Sequence, residues 1–231
     1  MYRHSTVKKF KLIKRLEDIL FSISILMIFS PIFFLVIIIS LLIQGIPIFY
    51  KSSRMVDVNK FIKIIKFRTM VKNANDEKYG LEDKYMKDGY LDIPISSKVF
   101  TPFGRLLEKT QIVELPQVIP VLFGKMSFVG NRPLPRKNIE ILKNNYPNTW
   151  KSRFNSPAGI TGIAQVVGKF QINSGERLEL ENLYSKVYNE GNILKVDAYI
   201  FFSTIILLLF QDASAYRSFN SAKKILLNCM K

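Results

Sequence analysis

From Ile19 to Ile43 the chain reads ILFSISILMIFSPIFFLVIIISLLI, without a single charged residue. As one straight helix this run would be about 37 Å long, enough to cross the hydrocarbon core of a bilayer. Ser30-Pro31 stands in its middle. Proline removes a helix hydrogen bond and bends the chain, and a neighbouring serine hydroxyl can satisfy the freed backbone group. Both flanks are basic: Arg3, Lys8, Lys9, Lys11, Lys14 and Arg15 before the run, Lys51, Arg54, Lys60, Lys63, Lys66, Arg68 and Lys72 after it. A spanning helix leaves its excess Lys and Arg on one side only. The pattern therefore favours a re-entrant helix–break–helix, with both ends on the same face, over a kinked spanning helix.

Beyond the run the periodicity changes. FIKIIKFRTM, residues 61–70, partly alternates apolar and basic positions and reads as a strand. Residues 72–98 are polar, with Asp76, Glu77, Glu82, Asp83, Asp88 and Asp92, and read as a solvated loop before they read as a lid. Residues 103–113 read as a helix. Pro116 is placed to open the next one and Gly124 to end it, which would set Glu114 beside a helix N-terminus, where the dipole favours an ionised carboxylate. Gly130–Pro133 and Gly159–Gly162 read as turns between apolar stretches. Residues 176–190 read as a charged helix. Residues 198–210, AYIFFSTIILLLF, are too few to span, and either lie in the membrane interface or pack in the core. The fold class expected is α+β, mainly helical. A basic N-terminus with a membrane hairpin (1–50) precedes a compact membrane-associated domain (51–231) with interfacial helices.

Composition narrows the chemistry. Lys and Arg number 34 against 18 Asp and Glu, a net charge of +16, which calls for an anionic partner. The apolar run makes a membrane and its phosphorylated lipids the better match. No aromatic–basic motif or nucleic-acid module is visible, so nucleic acid is not an expected partner. Cys229 is the only cysteine and His4 the only histidine, which excludes a disulfide framework, a Ser-His-Asp triad and a histidine-rich zinc site. Carboxylates, lysines or hydroxyls are left to do acid–base or nucleophilic work, and the expected metal is hard and oxygen-bound, such as Mg²⁺. No Walker loop or G-x-G-x-x-G is present. Lys66, Arg68 and Arg132 are candidate phosphate ligands, because arginine can grip phosphate bidentately.

Taken together the motifs resemble those of the bacterial sugar transferases, the polyprenyl-phosphate phosphoglycosyl transferases. The resemblance starts at Lys14-Arg15 and Asp18 ahead of the Ser-Pro-broken helix and continues through Lys66-Phe67-Arg68-Thr69-Met70. It runs on through Glu114-Leu115-Pro116-Gln117, Gly124 to Gly130 and Arg132-Pro133, and closes with Gly159 to Val166 and Asp197. It implies transfer of a sugar 1-phosphate from a UDP-sugar to undecaprenyl phosphate with release of UMP, as the first membrane step of surface-glycan assembly. It also implies Mg²⁺, and a short, monotopic enzyme in the bacterial inner membrane with its domain on the cytoplasmic face. Membrane lipid would then be a further partner, and a homo-oligomer stays open. Glu114 is the carboxylate matching the family's metal-binding Glu. Lys66, Arg68, Arg132 and Gln165 are the candidate substrate contacts.

Four positions depart from the family pattern. Val113 stands where the nucleophilic Asp is usual, Glu108 where Arg is, Asn131 where Pro is, and Ser185 where Asp is common. Three readings follow. Glu114 is the essential carboxylate, as nucleophile or by holding Mg²⁺ for direct attack by the lipid phosphate; or Glu108 supplies a second carboxylate. In the alternative, the chain is an inactive membrane scaffold that binds nucleotide-sugar or a partner transferase. Since position 113 adjoins a polar site, Val113→Asp is expected to be tolerated, and Glu114→Gln is expected to leave stability unchanged.

Overall fold

A computed structural model describes residues 2–74, 76–87, 90–91, 93–168, 171–210 and 216–230; Asp88 and Asp92 of the acidic segment lie outside them. Helix α1 runs from Tyr2 to Gln44. Where the sequence predicts a break at Ser30-Pro31, the helix continues through the proline. Pro31 has no N–H to give the Met27 carbonyl, and the Ser30 hydroxyl donates to that carbonyl instead at 2.9 Å. The local repair foreseen for the serine is therefore present, and it keeps the helix whole.

Both ends of α1 are fastened to the same domain. Near its start, Lys14 donates to the Val129 carbonyl at 2.8 Å and pairs with Asp197 at 2.5 Å. Asp18 accepts from the Ser127 hydroxyl and the Phe128 amide at 3.0 and 2.9 Å. Near its end, Val36 packs with Phe67, Leu107 and Val113. Between these anchors Met27, Ile28, Phe29 and Ile32 are exposed. A buried ion pair at one end and apolar contacts at the other hold a helix whose middle buries little against the domain.

Strands β1 (Phe49–Asp57) and β2 (Lys60–Phe67) form an antiparallel hairpin, with Tyr50 opposite Lys66 and Arg54 opposite Ile62. Alternation reveals β2 but not β1, whose polar residues reach the middle of the strand. The segment read as a solvated loop contains α2 (Leu81–Tyr85) and the short antiparallel pair β3 (Met86–Lys87) and β4 (Tyr90–Leu91). Leu81, Val99 and Phe100 give it a small apolar cluster of its own.

Helix α3 (Pro102–Lys109) is capped by Thr101, whose hydroxyl accepts from the Gly104 amide at 2.9 Å. Gly104 lies so close to β2's exit that a Cβ there would sit 1.9 Å from the Thr69 carbonyl oxygen. A 3₁₀ segment, Ile112–Gln117, contains Pro116 and leads into α4 (Val118–Leu122). Helix α4 thus starts two residues after the expected position, Pro116. Gly124, at φ +70°, ends α4 in the left-handed conformation expected of it.

Strand β5 (Ser127–Val129) pairs in parallel with β6 (Gly159–Thr161), so residues 159–161, read as part of a turn, are a strand. Helix α5 (Arg136–Asn145) lies between them in the chain, and α6 (Ile163–Val167) follows. Helix α7 (Ser174–Glu190) opens with a reciprocal capping box between Asn173 and Glu176. Helix α8 (Ile193–Phe210) starts five residues before the apolar stretch read from sequence, and α9 (Phe219–Asn228) closes the chain. Leu180, Tyr184, Val196, Ile200 and Leu226 from α7, α8 and α9 form the main core. By length and composition α1 and α8 could each cross a membrane. The first half of α8 is nevertheless buried in the domain, and only its end, with Phe202, Leu209 and Phe210, is exposed. The core reading of this stretch therefore holds for the first half of the helix.

Candidate active site

Three chain segments converge on one carboxylate. The 3₁₀ segment presents Glu114, β2 presents Lys66, and the turn after β5 presents Arg132. Lys66 Nζ donates to Glu114 Oε1 at 2.6 Å, and Arg132 donates to the same oxygen at 2.7 Å. The other oxygen, Oε2, has only a 3.5 Å contact to the guanidinium. Burial pushes the Glu114 carboxyl up, but the charges and hydrogen bonds of Arg132 and Lys66 outweigh it and hold the group far below the usual carboxylate range. The cause of ionisation is this pair of cations and not the helix dipole that the sequence suggests.

The turn carrying Arg132 is braced from beneath. Arg153 is buried, pairs with Glu181 at 2.7 Å and donates to the Arg132 carbonyl at 2.8 Å. Asn131 is buried as well, and its amide nitrogen lies 2.8 Å from the Arg153 carbonyl and 3.0 Å from the Ser185 hydroxyl. Two of the departures from the family pattern, at 131 and 185, are therefore in direct contact.

Of the residues singled out by sequence, Lys66, Glu114, Arg132 and Gln165 come together. Gln165 and Arg132 both donate to the Ile160 carbonyl, at 2.8 and 3.1 Å. Gln165 Oε1 is a buried acceptor with no partner among the described residues. Arg68 does not join them. Its guanidinium donates to the carbonyls of Gln44, Gly45 and Pro47 at 2.6 to 2.9 Å, so its charge closes the C-terminal end of α1. Glu108 accepts from the Thr69 hydroxyl at 2.9 Å, and its charge reaches Arg132 without bonding it.

Among the described residues no group of three or more His, Cys, Asp or Glu side chains is placed to hold a metal. Mg²⁺ commonly takes one or two carboxylates and completes its shell with phosphate oxygens and water. Glu114 Oε2, the less engaged oxygen, fits that role for a metal carried in with a diphosphate.

The family described as Bacterial sugar transferase matches residues 9–211. The chain belongs to the bacterial sugar transferase family. It is 33% identical over 193 residues to the UDP-glucose:undecaprenyl-phosphate glucose-1-phosphate transferase of Klebsiella pneumoniae, covering 83% of this chain and 39% of that protein. It is 28% identical over 199 residues to the exopolysaccharide production protein ExoY of Rhizobium meliloti, covering 83% of each. It is 30% identical over 198 residues to the UDP-N-acetylgalactosamine-undecaprenyl-phosphate N-acetylgalactosaminephosphotransferase of Aeromonas hydrophila, covering 85% and 44%. The chain thus spans about two fifths of the Klebsiella relative's length.

In this member of the family, Val113 does not adjoin the polar site. It is 1% exposed and packs with Val36, Phe67 and Leu107. The expectation that Val113→Asp is tolerated is therefore corrected: a carboxylate there would replace a methyl contact in an apolar cluster. Two polar groups escaped the sequence reading of the site. Gln117 is 3% exposed, and its Nε2 has no partner among the described residues. In a 3₁₀ segment residues three apart eclipse, which sets Gln117 on the Glu114 side; only the local helix type reveals this. Arg54, counted in the sequence among the bases flanking the apolar run, interacts electrostatically with both Arg132 and Glu114.

Proposed function

We propose that this chain transfers the sugar 1-phosphate of a UDP-sugar to a polyprenyl phosphate in the bacterial inner membrane and releases UMP. The observation that carries the reading is the pairing of Glu114 with Lys66 and Arg132 beside an apolar helix, in a chain of this family. The names of the Klebsiella and Aeromonas relatives state this class of reaction for those proteins. An oxygen of the lipid phosphate attacks the β-phosphorus of the UDP-sugar, the bridging P–O bond breaks, and UMP leaves. Lys66 and Arg132 bind and orient the diphosphate as its charge shifts toward UMP. Glu114, paired with two cations that lower its basicity, is a poor nucleophile, which favours direct attack over a covalent intermediate. Mg²⁺ on Glu114 and the diphosphate would supply further charge neutralisation.

The deciding experiment is UMP release from purified protein with Mg²⁺, undecaprenyl phosphate and a panel of UDP-sugars, with a trap for phosphosugar-labelled protein. Turnover that EDTA stops and Mg²⁺ restores, without labelled protein, is expected. Arg132→Lys should lose about tenfold to a hundredfold of that turnover, since it keeps the charge and loses the bidentate geometry; unchanged rates would take Arg132 out of the site.

A second reading, an inactive scaffold that retains nucleotide-sugar binding, is favoured by one observation, the apolar burial of Val113 where the family's Asp is usual. Binding of UDP-sugar with no UMP from any of them would establish it.

The topology proposed puts both ends of α1 on the cytoplasmic face. Its support is that the Lys14–Asp18 end and the Val36–Gln44 end both bond the same domain. In a Cys229→Ser background, a Ser5→Cys probe should resist an impermeant thiol reagent in intact cells and react after permeabilisation. Labelling in intact cells would put the N-terminus outside.

A further inference from the structure

We infer that Arg54 is a third phosphate-binding residue of this site, the one that meets the diphosphate of the nucleotide while Glu114 still occupies Lys66 and Arg132. This rests on the transferase reading. Residues directly opposite across an antiparallel hairpin share a face, and so do residues two apart along a strand. Arg54 opposes Ile62 and Tyr50 opposes Lys66, so Arg54, Ser52 and Tyr50 line the face that also bears Lys66. Arg54 Nε donates to the Ser52 hydroxyl at 3.1 Å, which draws the guanidinium back along the strand toward Lys66. Arg132 is brought to the same place by the backbone, because the Met55 amide, one residue on from Arg54, donates to the Leu134 carbonyl at 2.9 Å.

The charges at this place do not balance. Arg54, Lys66 and Arg132 face Glu114, whose Oε1 already accepts from the last two. Glu108 lies within reach of Arg132, but its carboxylate holds Thr69. The two terminal nitrogens of Arg54 have no partner among the described residues. Burial and then Arg132 both disfavour the charge on Arg54, with Tyr50 and Glu114 opposing them. An incoming anion relieves that repulsion and takes up the free N–H donors together.

The Tyr50–Lys66 pair sits at the end next to α1, and Arg54 lies four residues farther along the same face, about 13 Å of strand at the backbone. The guanidinium, drawn back toward Lys66, therefore borders the diphosphate on the side away from α1.

The test uses the full chain in nanodiscs, in EDTA, with pyrophosphate, UDP, uridine and a polyprenyl monophosphate as probes. Arg54→Gln is shorter, but its amide nitrogen stands where Nε does and can keep the Ser52 contact, while the charge and the terminal donors are lost. Its affinity for UDP and pyrophosphate should fall about tenfold or more, and Arg54→Lys should recover part of that. Uridine and polyprenyl monophosphate affinities should change less than twofold, and the ligand-free unfolding midpoint should stay or rise, because a like-charge contact is gone. Equal pyrophosphate affinity in wild type and Arg54→Gln overturns the inference and leaves the transferase reading standing. A loss confined to polyprenyl monophosphate overturns it too, by moving Arg54 to the lipid's phosphate. A wild type that binds neither UDP nor pyrophosphate removes both.

Discussion

Glu114→Gln should lower UMP release by at least about a hundredfold and should also lower stability. The activity loss follows from the site's single paired carboxylate, the group placed to share the diphosphate's counter-charge. The stability loss corrects the sequence-based expectation. Removing one member of a buried ion pair costs about 3–5 kcal/mol when both are fully enclosed. Here the Lys66 and Arg132 side chains keep 24% and 35% of their exposure, so about 1–3 kcal/mol is expected. The pH dependence has a definite sign. The folded-state value of Glu114 is depressed, so its contribution is complete above the unfolded value of about 4.3 and is lost as pH falls through the folded one. The gap between wild type and Glu114→Gln should be widest near neutrality and should close below about pH 4. Meanwhile metal-free UDP should bind the variant at least as well as wild type, since two cations are released to the diphosphate. A variant with full turnover would remove Glu114 from the chemistry. Weaker metal-free UDP binding would show that Glu114 does not compete with the nucleotide for these cations.

Val113→Asp should destabilise the chain by about 2–4 kcal/mol and should not raise turnover. Val113 is 1% exposed among Val36, Phe67 and Leu107, with no cation or donor in that cluster. A carboxyl buried there has its pKa pushed up, so the folded state favours the protonated form. Its deficit should therefore grow from about pH 4 toward neutrality, above the pH range in which the Glu114 gap closes. Val113→Ala, which loses only packing, should show a smaller deficit independent of pH. Midpoints for the three proteins at pH 5 and pH 8, with UMP release alongside, make the comparison. A Val113→Asp protein as stable as wild type and faster at neutral pH would mean that position 113 faces the reacting groups and that the chain is a degraded transferase.

The apolar run, the Ser30 repair of Pro31, strand β2, the Gly124 stop and the charged helix α7 are legible in the sequence. Each depends on residues within a turn or two of one another: an uncharged stretch, a missing N–H, an alternation, a left-handed φ. Glu114, Lys66 and Arg132 were legible as types, because few other side chains remain for phosphate chemistry once cysteine and histidine are so scarce. Their convergence was not, since Lys66 and Glu114 are 48 positions apart and Arg132 a further 18. Arg68 and Arg54 show the limit. Both are bases near the same hairpin, and nothing in their sequence surroundings distinguishes a guanidinium spent on three carbonyls from one with free donors. The same holds for Val113, whose neighbour Glu114 is polar while its own side chain turns to Phe67. Consecutive residues in a 3₁₀ segment point in different directions, and what lies in each direction comes from distant parts of the chain. Sequence thus determined the family, the long apolar helix and the residue types of the site. Tertiary packing decided which cations meet the carboxylate and which position beside it is dry, because charge pairing and burial are set by contacts between segments that sequence spacing does not encode.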